Sequence, residues 1–67
     1  MEITLNNTKE VIQEEDITVA DLIRIKNFTF KLLVTKVNGK LVKKDERDKV
    51  TINEGDDVIV LHLISGG

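Results

Sequence analysis

DVIVLHLI, residues 57–64, contains the longest uninterrupted apolar run of the 67-residue chain. Its apolar side chains do not alternate with polar ones, so a strand here carries large side chains on both faces. We expect Val58 and Val60 to face the core of the protein. The side chains expected on the opposite, open face of the sheet are Ile59, Leu61 and Leu63. The opposite register of this strand would exchange the two sets.

The segments before this strand predict a hairpin followed by one helix. Residues 1–5 alternate apolar and polar positions, and residues 9–13 form a short returning strand. Thr18 and Asp21 have the spacing of a helix capping box. Apolar residues then recur at helical spacing until Asn27, which is a plausible end of the helix. We expect a helix of about two turns, which needs a sheet to pack on.

The middle of the chain predicts a second hairpin. Residues 28–37 are rich in aromatic and β-branched residues, and we expect most of them to form a strand. Asn38 and Gly39 both accept the positive φ of a type I′ turn. Residues 40–43 are therefore the expected return strand.

The segment between this hairpin and the last strand has mixed character. Residues 44–49 are a charged run that we expect to be solvated, with room for a single helical turn. Residues 50–52 are a brief extended piece. Gly55 is the expected left-handed position of the turn that leads into the last strand.

This order of elements predicts an α+β fold, with a mixed sheet of four to five strands and one short helix packed on one face. The first and last strands are expected side by side and parallel in the middle of the sheet. One short helix covers only one face, so the other face stays apolar, which usually marks a partner surface. The alternative is a core that extends further, under residues 44–53.

Composition excludes several classes of function. The chain has no cysteine, which excludes disulfides, thiolate metal sites and a cysteine nucleophile, and it has one histidine and no Tyr or Trp. We therefore expect no self-contained enzyme, and we expect His62 to be a strand-face or interface residue. The acidic groups at residues 14–16 and 56–57 lack the loop spacing of a calcium site and are expected to be solvated turns.

Charge and hydropathy indicate where the protein works. The net charge is −2, whereas nucleic-acid-binding domains usually have a basic excess, so no nucleic acid is expected as a partner. The apolar run is far shorter than the roughly 20 residues that span a bilayer. Residues 1–20 lack the pattern of a secretory leader, which predicts a cytoplasmic protein without membrane contact.

The carboxyl end predicts a flexible tail. Residues 1–64 are expected to form one domain and residues 65–67 a tail that ends in Gly66-Gly67. Two residues without a Cβ form a thin arm that can bring the terminal carboxylate into an active site on another protein. An ionised carboxylate is a poor electrophile and must first be activated, for example as an acyl-adenylate. Since we find no phosphate-binding glycine loop or metal cluster in the sequence, a separate enzyme would supply that activation.

Taken together, these motifs resemble the ThiS/MoaD-type sulfur carriers, which have the ubiquitin-like β-grasp fold. The matching segments are the helix start at residues 18–23, the hairpin at 37–42, the turn at 54–58 and the terminal Gly66-Gly67. The length of 67 residues is closer to ThiS than to MoaD.

The resemblance implies a carrier that is the substrate of other enzymes and binds no cofactor itself. A ubiquitin-activating-type adenylyltransferase, ThiF- or MoeB-like, would use ATP to adenylate Gly67, and a sulfur donor would convert it to a thiocarboxylate. A sulfur acceptor enzyme such as thiazole synthase would then take the sulfur for thiamine. Gly66 would be the sterically bare neighbour and Ser65 with Ile64 the arm. The partner would dock on Ile59, Leu61 and Leu63.

Other functions remain open at this point. MoaD-like molybdopterin synthase subunits share the fold and tail, as do carriers that are attached to protein lysines or used in tRNA thiolation. From a different class, a small RNA- or protein-binding module would use the lysines around the second hairpin. These lysines are Lys36, Lys40, Lys43 and Lys44. Alternatively, the charged hairpin only keeps an edge strand from pairing with another molecule.

Overall fold

The structure, a computed structural model, describes residues 1–29 and 32–63. A five-stranded mixed sheet has the order β2-β1-β7-β4-β5, and a separate two-stranded sheet pairs β3 with β6. The strands are β1 (Glu2–Leu5), β2 (Thr8–Val11), β3 (Ile17–Thr18), β4 (Leu33–Val37), β5 (Lys40–Val42), β6 (Thr51–Ile52) and β7 (Asp57–His62). The helix α1 spans Val19–Ile25, and a 3₁₀ turn spans Lys44–Glu46.

The predicted architecture is confirmed. The terminal strands β1 and β7 lie side by side and parallel, with Thr4 opposite Asp57 and Leu5 opposite Val58. Strand β7 is antiparallel to β4 on its other side, so it is the central strand. Within the described part of the chain, no helix is long and apolar enough to cross a membrane.

The core lies between the helix and one face of the large sheet. Among residues 1–29 and 32–63, ten apolar side chains are buried: Ile3, Leu5, Ile12, Ile17, Val19, Leu22, Val42, Ile52, Val58 and Val60. The segment after β5 contributes Ile52 to this core, while Leu61 and Leu63 remain half exposed. The core therefore does extend under that segment, but this does not cover the open face of the sheet.

The helix begins at the predicted capping box. The Asp21 N–H donates to Thr18 Oγ1 (3.1 Å), and the Thr18 N–H donates to Asp21 Oδ2 (3.0 Å). The hydrogen bond from the Thr18 backbone is the main reason why the pKa of Asp21 is lowered from its ordinary value of 3.8. At the carboxyl end of the helix, its C-cap residue Lys26 pairs with Glu10 (2.6 Å), which ties α1 to β2.

The prediction that most of residues 28–37 form a strand is wrong for Phe28, Thr29 and Leu32, while residues 30 and 31 lie outside the described residues. Asn27 has φ 58°, the Phe28 N–H donates to Ile23 O (2.9 Å) and the Asn27 N–H donates to Arg24 O (3.0 Å). These bonds form a Schellman motif, in which the residue after the left-handed position packs back on the helix. Phe28 accordingly packs against the core, and β4 begins only at Leu33.

Both predicted turns have the expected backbone. Asn38 (φ 51°) and Gly39 (φ 82°) connect β4 to β5 in a two-residue hairpin. Gly55 also has φ 82°, and the carboxylate of Asp56 accepts the Asn53 N–H (2.8 Å) and a hydrogen bond from Asn38 Nδ2 (3.0 Å). Asp56 therefore organises a turn through hydrogen bonds.

The prediction that residues 44–49 are a solvated charge run is wrong for Arg47. Arg47 Nη2 donates to Leu33 O (2.6 Å) and Nε donates to Thr35 Oγ1 (3.2 Å), while Arg47 O accepts the Ala20 N–H (2.8 Å). The fully buried Thr35 hydroxyl in turn donates to Val42 O (2.7 Å). Arg47 therefore fastens this segment to both the sheet and the helix, and only its neighbours are solvated.

The small sheet was not predicted. Ile17 lies opposite Ile52 and Thr18 opposite Thr51, and both isoleucines are buried. The sequence indicates an extended piece at residues 50–52 but gives it no partner, because two-residue strands have no periodicity of their own.

Candidate functional site: an apolar sheet face that leads to the carboxyl terminus

Strand β7 presents different surfaces on its two faces. Val58 and Val60 point to the helix and are buried, as predicted. On the other face Ile59 is half-buried and Leu61 is 51% exposed, and beyond the strand end Leu63 is 49% exposed. The predicted register of the last strand is therefore the observed one.

Strand β4 adds apolar side chains to the same face. Val34 lies directly opposite Leu61 in the antiparallel register. The Leu63 N–H donates to Leu32 O (2.9 Å), so Leu32 lies opposite Leu63 one step further along, and it is 53% exposed. We call the surface formed by Leu32, Val34, Ile59, Leu61 and Leu63 the open-face patch. Opposed apolar side chains 4.5–5.5 Å apart make contact across strands, so these residues form one continuous surface.

Sequence reasoning named only the β7 residues of this patch. The signal for the others is the run Leu32-Leu33-Val34, which places large side chains on both faces of its strand. Which of them join the patch depends on the register between β4 and β7, and that register follows from the whole sheet.

The predicted tail follows directly after the patch. Ile64, Ser65, Gly66 and Gly67 lie outside the described residues, so their roles stay predictions. Leu63 belongs to the patch, and four residues separate it from the chain end. A fully extended chain spans at most about 3.5 Å per residue, so the terminal carboxylate can reach no further than roughly 14 Å from Leu63. A partner that docks on the patch therefore has the terminus within reach.

An unpredicted residue, Asn6, holds the central strand in place. Its Oδ1 accepts the Val60 N–H (2.8 Å) and its Nδ2 donates to Val60 O (3.1 Å). The backbone pairing of β1 with β7 ends at Leu5 and Val58. The two hydrogen bonds between the Asn6 side chain and Val60 extend the contact between these strands beyond that point. No local signal in the sequence points to this role of Asn6, because its partner is 54 positions away.

The charged groups near the patch are basic. Lys36, on β4, lies opposite Ile59 of β7. On its other side Lys36 lies opposite Leu41 of β5, which is exposed. Neither of the ion pairs formed within residues 1–29 and 32–63 involves a lysine of the second hairpin. His62, at the end of β7, lies opposite Leu33 and is exposed, which places it on a strand face as predicted. Among the residues that the structure describes, no group of three His, Asp or Glu could hold a metal ion.

The chain was compared with known families and solved structures. The model of a family described as the ThiS family matches residues 1–67. The fold is similar to a crystal structure of a thiamine biosynthesis protein (ThiS) from Geobacter metallireducens, with a TM-score of 0.88, 23% identity and full coverage of both chains. An NMR solution structure of a thiamine biosynthesis protein from Geobacter metallireducens gives a TM-score of 0.81 and 25% identity, covering 100% of this chain and 88% of that one.

Proposed function

Because the chain belongs to the ThiS family, we propose that it is a sulfur carrier protein whose C-terminal glycine carboxylate becomes a thiocarboxylate that donates sulfur in thiamine biosynthesis. The observation that carries the proposal is the family match, which runs through the terminal Gly66-Gly67. The β-grasp fold that the chain shares with the ThiS neighbours, and the exposed patch that ends at Leu63, support it.

The chemistry begins with activation of an unreactive group. A terminal carboxylate has a reference pKa near 3.5 and is ionised at neutral pH. One oxygen of the Gly67 carboxylate attacks the α-phosphorus of ATP, and pyrophosphate leaves. The resulting acyl-adenylate is attacked at its carbonyl carbon by a sulfur donor, so that a C–S bond forms and AMP leaves. With hydrosulfide as the donor no further bond has to break, and the thiocarboxylate is then the nucleophile for the sulfur acceptor, such as thiazole synthase.

In this scheme the chain contributes position rather than catalysis. Gly67 is the acyl and sulfur carrier, and Gly66 leaves room around it because it has no Cβ. An adenylyltransferase of the ubiquitin-activating type, ThiF- or MoeB-like, holds ATP and supplies the catalytic groups. The exchange takes place in the cytoplasm, and the carrier itself binds no cofactor.

The open-face patch is the surface on which this partner docks. Ile59, Leu61 and Leu63 provide apolar area that a partner can remove from water, at about 25 cal/mol per Å². Ile64 and Ser65 continue from the patch as the arm that enters the partner's channel. The reach of roughly 14 Å from Leu63 sets how far the reactive centre can lie from the docking surface.

An intact-mass experiment tests the proposal. The full chain is incubated with a ThiF-like adenylyltransferase, ATP and a sulfide donor, and its mass is followed over time. We expect an ATP-dependent increase equal to the exchange of one oxygen for one sulfur. A chain that lacks Gly67 is the control and should show no increase.

The same reaction separates the related functions. Added thiazole synthase should discharge the thiocarboxylate and restore the original mass, whereas discharge only by a molybdopterin synthase large subunit would assign the chain to that pathway. Covalent attachment to lysines of other proteins would identify a modifier. No mass change with the adenylyltransferase present, or the same change without Gly67, would contradict the carrier function.

A further inference from the structure

A second surface lies at the outer edge of the large sheet, between β5 and the segment that contains β6. It is a shallow groove of about 380 Å³. Its lining residues are Val37, Asn38, Lys40, Leu41, Val42, Glu46, Val50, Thr51, Asn53 and Asp56. The function proposed above does not use this groove, so a separate role can be sought for it.

One wall of the groove is the outer edge of the large sheet. Strand β5 is the last in the order, and its only strand partner in the described structure is β4. In a two-residue hairpin the residues that flank the turn exchange both backbone hydrogen bonds, and the pattern alternates from there. Val37 with Lys40 is that flanking pair, so the N–H and C=O of Leu41 point away from β4.

The opposite wall is the outer edge of the small sheet. The Val19 N–H donates to Val50 O (2.9 Å), which fixes the alternation between β3 and β6. The pair of Thr18 and Thr51 is then the non-hydrogen-bonded one, so the backbone groups of Thr51 point away from β3. Thr51 and Leu41 both line the groove, and each presents one N–H and one C=O without a backbone partner in the described structure.

The lysines at the edge of the groove can attract an acidic occupant. The carboxylates that line it already accept hydrogen bonds within the chain, Glu46 from the Lys43 N–H (3.1 Å) and Asp56 from Asn38 and Asn53. The lysines beside it are exposed and take part in neither ion pair of the described residues. They are Lys40, Lys43 and Lys44. Glu46 and Asp56 keep their negative charge, but the ammonium groups of these lysines are the charged hydrogen-bond donors left for the carboxylates of a partner.

We propose that this groove binds an extended, carboxylate-bearing peptide segment of a partner protein, which adds as a β-strand between β5 and β6. The backbone of the incoming strand pairs with Leu41 on one side and Thr51 on the other, and its carboxylates lie near the lysines. Main-chain hydrogen bonds supply affinity in strand addition of this kind, and the side chains supply selectivity. Such a strand would join the two sheets into one.

Binding of a synthetic peptide tests the proposal. The probe is a short capped peptide of alternating valine and glutamate, and a peptide with lysine in place of glutamate is its matched control. Amide chemical shifts of the isotope-labelled full chain report where each peptide binds. We expect the glutamate peptide to shift the amides of Leu41 and Thr51, and the lysine peptide to bind at least about tenfold more weakly, because it repels the hairpin lysines.

Two proline variants test the backbone pairing. Leu41→Pro and Thr51→Pro each remove an N–H that points into the groove and is not used in the fold, and proline is tolerated on such strand edges. Each variant should bind the glutamate peptide about tenfold more weakly, because it loses the free energy of one well-formed hydrogen bond. Leu41→Val and Thr51→Val keep the N–H and should bind as the parent does.

The remaining outcomes decide against the groove. Unchanged affinity in both folded proline variants, or shifts confined to the open-face patch, would overturn the proposal, as would no binding of the glutamate peptide. If one proline variant fails to fold, the other still tests the pairing, and Lys40→Glu with Lys43→Glu tests the charge. If a single-stranded RNA shifted the same amides and bound more tightly than the glutamate peptide, the ligand of the groove would be a nucleic acid and not a peptide.

Discussion

At the scale of single residues, the carboxylate of Asp21 connects helix formation to pH. It accepts the Thr18 N–H (3.0 Å) and lies 3.2 Å from the guanidinium of Arg24. Both interactions require the charged form, and the pKa of Asp21 is lowered from 3.8 mainly by the backbone hydrogen bond from Thr18. A carboxylate whose pKa is lower when folded stabilises the protein above its unfolded pKa and loses this contribution as pH falls through the folded value.

Asp21→Asn should therefore lower the melting temperature at neutral pH, with a difference from the parent that shrinks as pH falls below 3.8. Thermal unfolding at a series of pH values measures this. Asp48→Asn, which removes the same charge from an exposed position, is the control and should show no comparable trend. If the melting temperatures of Asp21→Asn and the parent differed by the same amount at all pH values, the charge of Asp21 would not be the source of its stabilising effect.

Arg47 is the second residue whose effect can be measured alone. Arg47→Met keeps most of the side-chain length but removes the hydrogen bonds to Leu33 O and Thr35 Oγ1. Hydrogen bonds from charged groups contribute 1.5–3 kcal/mol, so we expect the free energy of unfolding to fall by about 2 kcal/mol. Urea denaturation measures the loss, and Lys44→Met at an exposed position should change stability by less than about 0.5 kcal/mol. Equal stability of the two variants would contradict the role given to Arg47.

At the scale of elements, β7 performs two tasks with its two faces. Its buried valines complete the core under the helix, while its other face forms the centre of the open-face patch. The strand is held on one side by β4 and on the other by β1, with Asn6 continuing the pairing to Val60. A strand held on both sides is rigid, which gives the segment that follows Leu63 a fixed starting point.

Leu61→Asp should therefore weaken binding of a ThiF-like adenylyltransferase by at least about tenfold and leave the fold intact, because a central apolar contact of an interface becomes charged. Calorimetric titration measures the affinity, and amide spectra verify the fold. Val11→Asp introduces the same charge on β2, where Val11 is 69% exposed. Strands β1 and β7 lie between β2 and β4, the strand that carries Val34. That variant should bind normally. Equal affinities of both variants would exclude the patch as the docking surface.

At the scale of the whole molecule, local signals in the sequence were enough for the helix, for the five strands of the large sheet and for their order along the chain. The capping box at Thr18, the turn at Asn38-Gly39 and the broken alternation of β7 each involve residues close in sequence, and all three are confirmed. These signals also predicted which β7 side chains are exposed in the patch. The α+β class followed from one helix among several strands.

The parallel pairing of β1 with β7 was predicted, but several other contacts between residues distant in sequence were not. Arg47 contacts Thr35, 12 positions away, and Asn6 bonds to Val60, 54 positions away. The pairing of β3 with β6 joins two strands of only two residues each. The Schellman motif at Phe28 was missed for another reason: the end of the helix at Asn27 was predicted, but the β-favouring composition after it assigned Phe28 to a strand. The same limit applies to Leu32, whose place in the patch depends on the register of β4 with β7.

Fragmentation of the product from the adenylyltransferase reaction tests the carrier function most directly, because it locates the added sulfur. Collision-induced fragments of the full chain distinguish the terminal residue from the twelve Asp and Glu side chains, whose carboxylates are the competing sites. We predict that the oxygen-to-sulfur mass difference appears only in fragments that contain Gly67 and only when ATP was present. Sulfur found on any fragment without Gly67, or incorporated without ATP, would contradict the account.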